Sequence, residues 1–452
     1  MAKLATIMTS LWNSAADSNA SARGAFHSVG ASLATTELAT GSCLAGQLES
    51  LRGRSVLLAM HEQMSAAIAL LELDGVARRL VLCTPDLTAE TRAEVAAAAR
   101  TDAVLADLNP VPERCAMARR ADAATEWVLL TSGTTGSPKL VMHNLSSLAG
   151  TLPRQAPSDA VWSTFYDIRR YGGLQIYLRA VLSGAPLVLS DPKESTADFL
   201  ARAAARGVTH ISGTPSHWRR ALMSGAAGIL TPRYVRLSGE VADQVLLDQL
   251  HATYPAARVA HAFASTEAGV AFDVNDGRAG FPAEFIDAPR DGIEMKVEEG
   301  TLRIRSHRTA ARYLGEAPKE LAGGDGFVDT GDLLELENGR YYFRGRKGGV
   351  INVGGLKVYP EEVEGVLNAD PRVRMSLVRS KRNPITGAVV VAEVVLKDEA
   401  NSTGALAGIE DIKSELLNAC RRALPAHKVP ARLSFVPALE LTAAGKLVRP
   451  GA

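Results

Sequence analysis

The chain has 452 residues, 46% hydrophobic and 22% charged, with a formal net charge of +1. That balance excludes a disordered or fibrous protein, and near-neutrality removes the electrostatic case for nucleic acid or an anionic membrane as partner. The length allows two or three domains with sizeable cores, and no apolar run is long enough to span a bilayer.

Residues 1–50 are rich in Ala, Ser and Gly and read as a loosely packed leader. Met1 to Ser18 holds one lysine and no long apolar core, a poor secretory signal. Cys43, Cys83, Cys115 and Cys420 show no metal spacing and read as small hydrophobes in a reducing compartment, so a cytoplasmic protein is expected. From Ser55 strands and helices alternate: strand Val56 to Met60, helix Gln63 to Leu73, strand Leu80 to Cys83, helix Thr88 to Arg100, strand Ala103 to Ala106. Such alternation predicts βαβ units and a mostly parallel sheet.

The next strand, Trp127 to Leu130, empties into Thr131-Ser-Gly-Thr-Thr-Gly-Ser-Pro-Lys139. Gly133 and Gly136 permit the positive φ that lets successive N–H groups face one anion. Thr131, Ser132, Thr134 and Thr135 add hydroxyls, and Lys139 adds a charge. A phosphate cradle is expected, although these residues also suit a surface linker. Pro138 before the lysine and Leu140 after it exclude a Walker loop.

Alternation resumes with strand Val161 to Tyr166, helix Gly173 to Leu182, strand Pro186 to Ser190, helix Thr196 to Arg206 and strand Val208 to Ser212. A helix around Ser216 to Met223, strand Tyr234 to Ser238, helix Asp243 to Tyr254 and strand Arg258 to Phe263 complete a second α/β layer. Ligands sit beyond the carboxyl ends of such strands, which points to Gly239-Glu240 and to Thr266-Glu267. Period-two runs with turns at Glu299-Gly300 and Asn338-Gly339 then predict a small antiparallel sheet or barrel over roughly residues 270–345. The Gly345-Arg346-Lys347-Gly348-Gly349 stretch predicts a boundary, dividing the chain into 1–345 and 346–452, the second a compact α+β module.

Together these residues resemble the adenylate-forming superfamily: acyl- and aryl-CoA ligases, peptide-synthetase adenylation domains and beetle luciferases. The signatures stand in the family's order: the loop at 131–139, Phe263-Ala-Ser-Thr-Glu267, Asp329-Thr-Gly-Asp332, Gly345-Arg346 with Tyr359-Pro-Glu-Glu-Val-Glu364, and Gly445-Lys446. The likeness runs from about residue 55 to the C-terminus. It implies a large N-terminal domain of two α/β layers plus a small antiparallel barrel, followed by a mobile α+β lid. It also implies Mg·ATP-dependent conversion of a carboxylic acid to an acyl-adenylate, then transfer to a thiol, most simply CoA.

On that resemblance the 131–139 loop, including Ser132, Gly133, Thr134, Thr135, Gly136 and Lys139, holds the phosphates that leave as pyrophosphate. Thr266 bonds phosphate and Glu267 binds Mg²⁺. Phe263 stands where relatives place tyrosine against adenine, with Gly239 and Glu240 lining the base pocket. Asp332 takes the ribose hydroxyls, assisted by Arg346, and Lys446 bridges the α-phosphate and the attacking carboxylate. Gly348 occupies the pivot. Tyr166, Arg170, Tyr171 and Gly172 fall where relatives line the acid pocket; about Tyr171 replaces the aspartate that grips an α-ammonium, which disfavours amino acids. Arg169 and Arg170 either face an acidic or hydroxylated substrate or lie on the surface. Other readings are an enzyme loading the phosphopantetheine of a separate carrier protein, and a catalytically silent nucleotide-binding regulator; retention of Lys446, Glu267 and Asp332 argues against the silent one.

Overall fold

The computed structural model describes residues 10–16, 23–114, 120–131, 138–150, 152–315, 320–384, 386–397, 406–442 and 446–447. Among them, the strands Ser55–Leu58 and Arg79–Leu82 are buried at every position, and Glu126–Thr131 is buried along its centre, because helices cover both faces of a parallel sheet. They sit in a six-stranded sheet ordered Arg312–Leu314, Lys139–Asn144, Glu126–Thr131, Arg79–Leu82, Ser55–Leu58, Ala103–Leu105. The eight-stranded sheet is ordered Gly269–Val274, Arg258–Ser265, Tyr234–Ser238, His210–Gly213, Trp162–Thr164, Leu187–Val188, Ala25–His27, Ser32–Ala34. Two strands depart from the parallel expectation: Lys139–Asn144 and Gly269–Val274 each fold back as antiparallel partners of the strand before them.

The helices Gln63–Leu73 and Tyr171–Ser183 share one core with strands of both sheets, and the Tyr177 hydroxyl donates to the Ala67 carbonyl at 2.8 Å. Burial all round explains why neither shows a polar stripe. Four later helices start where a side-chain oxygen takes up an orphan N–H: Thr88 from Thr91, Ser195 from Asp198, Thr214 from His217 and Asp243 from Leu246. Each such cap stabilises its helix by about 1 kcal/mol.

The expected leader is a structural part of the core. Leu11, Phe26 and Leu33 are almost fully buried, and Ala25–His27 pairs in parallel with Leu187–Val188. Small residues hid these strands, since three-residue strands leave too few positions to show alternation.

A five-stranded antiparallel sheet follows, ordered Phe281–Pro282, Arg340–Arg346, Val328–Glu337, Thr301–Ser306, Ile293–Glu298. Asn338 and Gly339 both have positive φ, 49° and 76°, as a type I′ hairpin demands. From Ile351 onward a separate core of Val363, Leu367, Val378, Val394 and Leu416 joins helices Pro360–Asn368 and Leu406–Ala423 to strands Val373–Asn383, Gly387–Leu396 and Arg432–Phe435. No helix among the described residues is long and apolar enough to cross a membrane.

Candidate active site

Thr131 ends one strand and Lys139 begins the next, and the two are paired, so the strands on either side of the expected phosphate loop run antiparallel. Ser132, Gly133, Thr134, Thr135 and Gly136 lie outside the described residues, as does Gly445. The buried Thr131 Oγ1 has no hydrogen-bond partner among the described residues, a donor left for a ligand or for the loop itself.

Lys139 places its ammonium 5.6 Å from the centre of the Tyr313 ring, and Tyr313 donates its hydroxyl to Glu267 Oε1 at 3.3 Å. Burial first, and then the Glu267 charge, push the Tyr313 phenol far up, so it stays a donor. Glu267 belongs to the turn between Arg258–Ser265 and Gly269–Val274. Three contacts hold that turn: Ser265 Oγ accepts from Ala268 N–H at 3.0 Å, the Glu267 carbonyl accepts from Ala310 N–H at 2.9 Å, and His143 Nε2 meets the Thr266 carbonyl at 2.7 Å. A carbonyl only accepts, so His143 carries its proton on Nε2 and its Nδ1 accepts from Ser147 Oγ at 2.9 Å. Burial lowers the His143 pKa to about 4, which keeps the ring neutral near pH 7. Among the described residues no group of three or more His, Cys, Asp or Glu could hold a metal ion unaided. A single carboxylate like Glu267 fits a hard cation that draws its other oxygen ligands from phosphates and water.

Asp332 and Arg346 face each other across a strand pair, with Arg346 Nε 3.2 Å from Asp332 Oδ1 and Arg346 Nη2 donating to the Thr330 carbonyl at 2.8 Å. Burial raises the Asp332 pKa and Arg346 opposes that rise. Gly239 follows the strand Tyr234–Ser238 with φ +87°, and a Cβ there would come within 3.2 Å of Lys446 Cε. Lys446 retains solvent access, yet the crevice desolvates its ammonium and pulls its pKa down; Glu240 and Asp332 act against that shift, Arg346 and Arg170 with it. Residues more than two hundred positions apart thus meet. Glu240 itself accepts from Ser216 N–H at 2.9 Å, Ser216 Oγ–H at 3.0 Å and Leu447 N–H at 3.1 Å.

Phe263 stacks on Phe343 with ring centres 5.2 Å apart and on Phe272 at 6.0 Å. Gly348 sits exposed in the short 3₁₀ turn Lys347–Gly349. The Tyr166 hydroxyl donates to the Ser238 carbonyl at 2.7 Å, and its ring lies against Gly172, where a Cβ would be 3.4 Å away. Tyr171 opens the helix Tyr171–Ser183, and burial pushes its phenol up to about 12. Gly173 is obligatory, because a Cβ would sit 2.2 Å from the Asp167 carbonyl oxygen.

Arg169 corrects both readings made of it. It is 1% exposed, pairs with Asp167 at 2.5 Å and donates to the Met60 carbonyl, so it is a buried strut rather than a pocket wall or surface charge. Arg170 pairs with Asp86 at 3.0 Å while its buried Nε has no partner among the described residues. Sequence reasoning missed His143, Tyr313 and Ser216, each of which acts on a motif residue from another element. The phosphate motif's own strand pair contained His143; Tyr313 and Ser216 carried no local signal.

The family model described as AMP-binding enzyme matches residues 55–313, and that of the AMP-binding enzyme C-terminal domain matches 362–446. A 2-succinylbenzoate–CoA ligase from Geobacillus kaustophilus is 30% identical over 349 residues, spanning 71% of this chain and 67% of the relative. A second, from Bacillus velezensis, is 26% identical and spans 86% and 80%. Among solved structures, o-succinylbenzoate CoA synthetase from Bacillus subtilis, complexed with its acyl-adenylate intermediate, superposes with a TM-score of 0.74 at 21% identity, covering 97% of this chain and 96% of that one.

Proposed function

Because the chain belongs to the AMP-binding enzyme family, we propose that it is an AMP-forming acid–thiol ligase, which activates a carboxylic acid with ATP as an acyl-adenylate and passes the acyl group to CoA. The observation that carries this reading is the crevice where Lys446 lies against Gly239 within the fields of Glu240, Asp332 and Arg346.

Two anions, a carboxylate and a phosphate, must approach each other, so the site has to offset their repulsion and the charge spread over the transferring group. Lys446 reaches both from the crevice. Thr131, Lys139 and the loop between them hold the leaving pyrophosphate, and Thr266 bonds phosphate. Mg²⁺, when bound at Glu267, neutralises phosphate charge; Tyr313 and His143 keep Glu267 and the Thr266 backbone in place. Asp332 accepts from the ribose hydroxyls with Arg346 beside it, while Gly239, Glu240 and Phe263 bound the base. Tyr166, Arg170, Tyr171 and Gly172 wall the acid. The module from Arg346 to residue 452 acts as a lid that turns about Gly348 to admit the thiol, which attacks the acyl carbon as AMP leaves.

The relatives' acid, 2-succinylbenzoate, heads the panel to be assayed, with other aryl and aliphatic acids. The test is acid-dependent pyrophosphate and AMP release, with thioester measured on free CoA and on a holo-carrier, whose phosphopantetheine ends in the same thiol. Absence of acid-dependent pyrophosphate release across the panel would instead favour a silent nucleotide-binding regulator.

A further inference from the structure

A flexible four-carbon stem separates a lysine ammonium from its backbone, so the ammonium keeps one place only where the backbone beneath it is held. Lys446 lies in no helix or strand, and its support comes from a short closed segment instead. That segment is rooted in the core of the C-terminal module. The strand Arg432–Phe435 runs parallel to Gly387–Leu396, Leu433 is 2% exposed, and Val436 N–H donates to the Val394 carbonyl at 2.9 Å. Leu441 and Leu447, both half-buried, then pair as an antiparallel bridge, which closes the base of a finger carrying Lys446.

Inside that base Thr442 holds Lys446 twice. Thr442 N–H donates to the Lys446 carbonyl at 2.7 Å, and Lys446 N–H donates to Thr442 Oγ1 at 3.2 Å. In a regular antiparallel pair two residues exchange both bonds through their backbones, which any residue but proline can do. Here the return bond ends on a side chain, so the residue type at 442 matters. Thr442 is exposed, and its hydroxyl makes no other hydrogen bond among the described residues. Its branched Cβ restricts χ1 and so keeps Oγ1 on the Lys446 N–H. Both bonds lie within the module, unlike the bond from Leu447 N–H to Glu240 at 3.1 Å, which crosses to the large domain. The finger therefore travels with the module as one piece, and Glu240 only docks it.

We propose that Thr442 is a positioning residue for the first half-reaction, its hydroxyl fixing the Lys446 backbone so that the ammonium enters the crevice over Gly239. A Cβ on Gly239 would lie 3.2 Å from Lys446 Cε, so the stem runs close over the backbone there and its path depends on where the finger holds Lys446. Thr442 acts through Lys446 rather than on the acid or the nucleotide. The inference rests on the acid–thiol ligase reading, with Lys446 serving adenylation, and deepens it.

The test uses the full chain and the best acid of the panel, with the two half-reactions run separately: acid-dependent pyrophosphate release, and thioester formation from a supplied acyl-adenylate with CoA. Thr442→Val keeps the branched shape and loses the acceptor. Loss of one neutral hydrogen bond predicts a kcat for pyrophosphate release about 2- to 10-fold lower, with the KM for ATP in place and thiolysis at the native rate. Thr442→Ser returns the oxygen and should recover most of the loss, while Thr442→Ala should match Thr442→Val. Urea midpoints of all three should coincide with the native one, because an exposed side chain outside the core is exchanged. A native kcat in Thr442→Val, an equal fall in both half-reactions, no gain of serine over valine, or a fall that tracks a lowered urea midpoint overturns the positioning role but not the ligase. Native protein that releases no pyrophosphate with any acid of the panel overturns both.

Discussion

Glu240 offers a measurable link between the C-terminal segment and the first half-reaction. Its carboxylate accepts two hydrogen bonds from Ser216, inside the large domain, and one from Leu447 N–H at 3.1 Å. Only the Leu447 contact depends on where the C-terminal module sits. It is a hydrogen bond to a charged acceptor at a half-buried position, which places its loss near the low end of the charged range, about 1.5 kcal/mol. Glu240→Ala should therefore reduce the population holding Lys446 in the crevice, and with it the adenylation rate, roughly tenfold. Glu240→Gln keeps the oxygen and loses the charge, so a smaller drop is expected. The assay runs the two half-reactions separately: acid-dependent pyrophosphate release, and thioester formation from a supplied acyl-adenylate with CoA. Selective loss of the first supports the reasoning. Equal loss in both, or no loss in either, would refute it, because a latch used in one arrangement cannot act on both steps alike.

Lys446→Ala should abolish adenylation yet spare thiolysis of preformed adenylate; loss of both would contradict its role. Gly348→Pro should impair thioester formation more than adenylation, and equal impairment would undo the pivot. Tyr313→Phe removes the donor to Glu267, about 1 kcal/mol, and should raise the Mg²⁺ concentration for half-maximal activity about fivefold, read by Mg²⁺ titration. Burial holds the folded His143 pKa at about 4, below the usual imidazole value of 6.5. On acidification the unfolded chain takes the proton first, so stability falls from pH 6.5 and levels off below 4, by about 3 kcal/mol in all. Urea midpoints at pH 7.5 and 5 should differ less in His143→Gln than in the native protein; equal pH dependence would show that His143 is not the titrating group.

Regular elements were read well wherever a local signal existed. Helix Gln63–Leu73, strand Tyr234–Ser238 and the hairpin Ile293–Glu298 with Thr301–Ser306 lie where expected, because capping, β-branching and turn glycines act over a few residues. Arg169 was misjudged for the complementary reason. Whether an arginine between two elements faces solvent, substrate or a buried Asp167 depends on what packs over it, and Met60, more than a hundred residues away, does so here.

The same division holds for the site. The residues proposed to carry the chemistry, Glu267, Asp332, Arg346 and Lys446, were singled out because their neighbours form local motifs. Sequence alone also determined the alternation that puts Gly239 and the Thr266–Glu267 turn beyond strand ends, since backbone hydrogen bonding sets that periodicity. Tertiary structure decided what those residues touch: Tyr313 on Glu267, His143 on the Thr266 carbonyl, and Glu240 holding Leu447. Side-chain charges interact through space, and only the folded chain sets the distances and the desolvation that give each its strength.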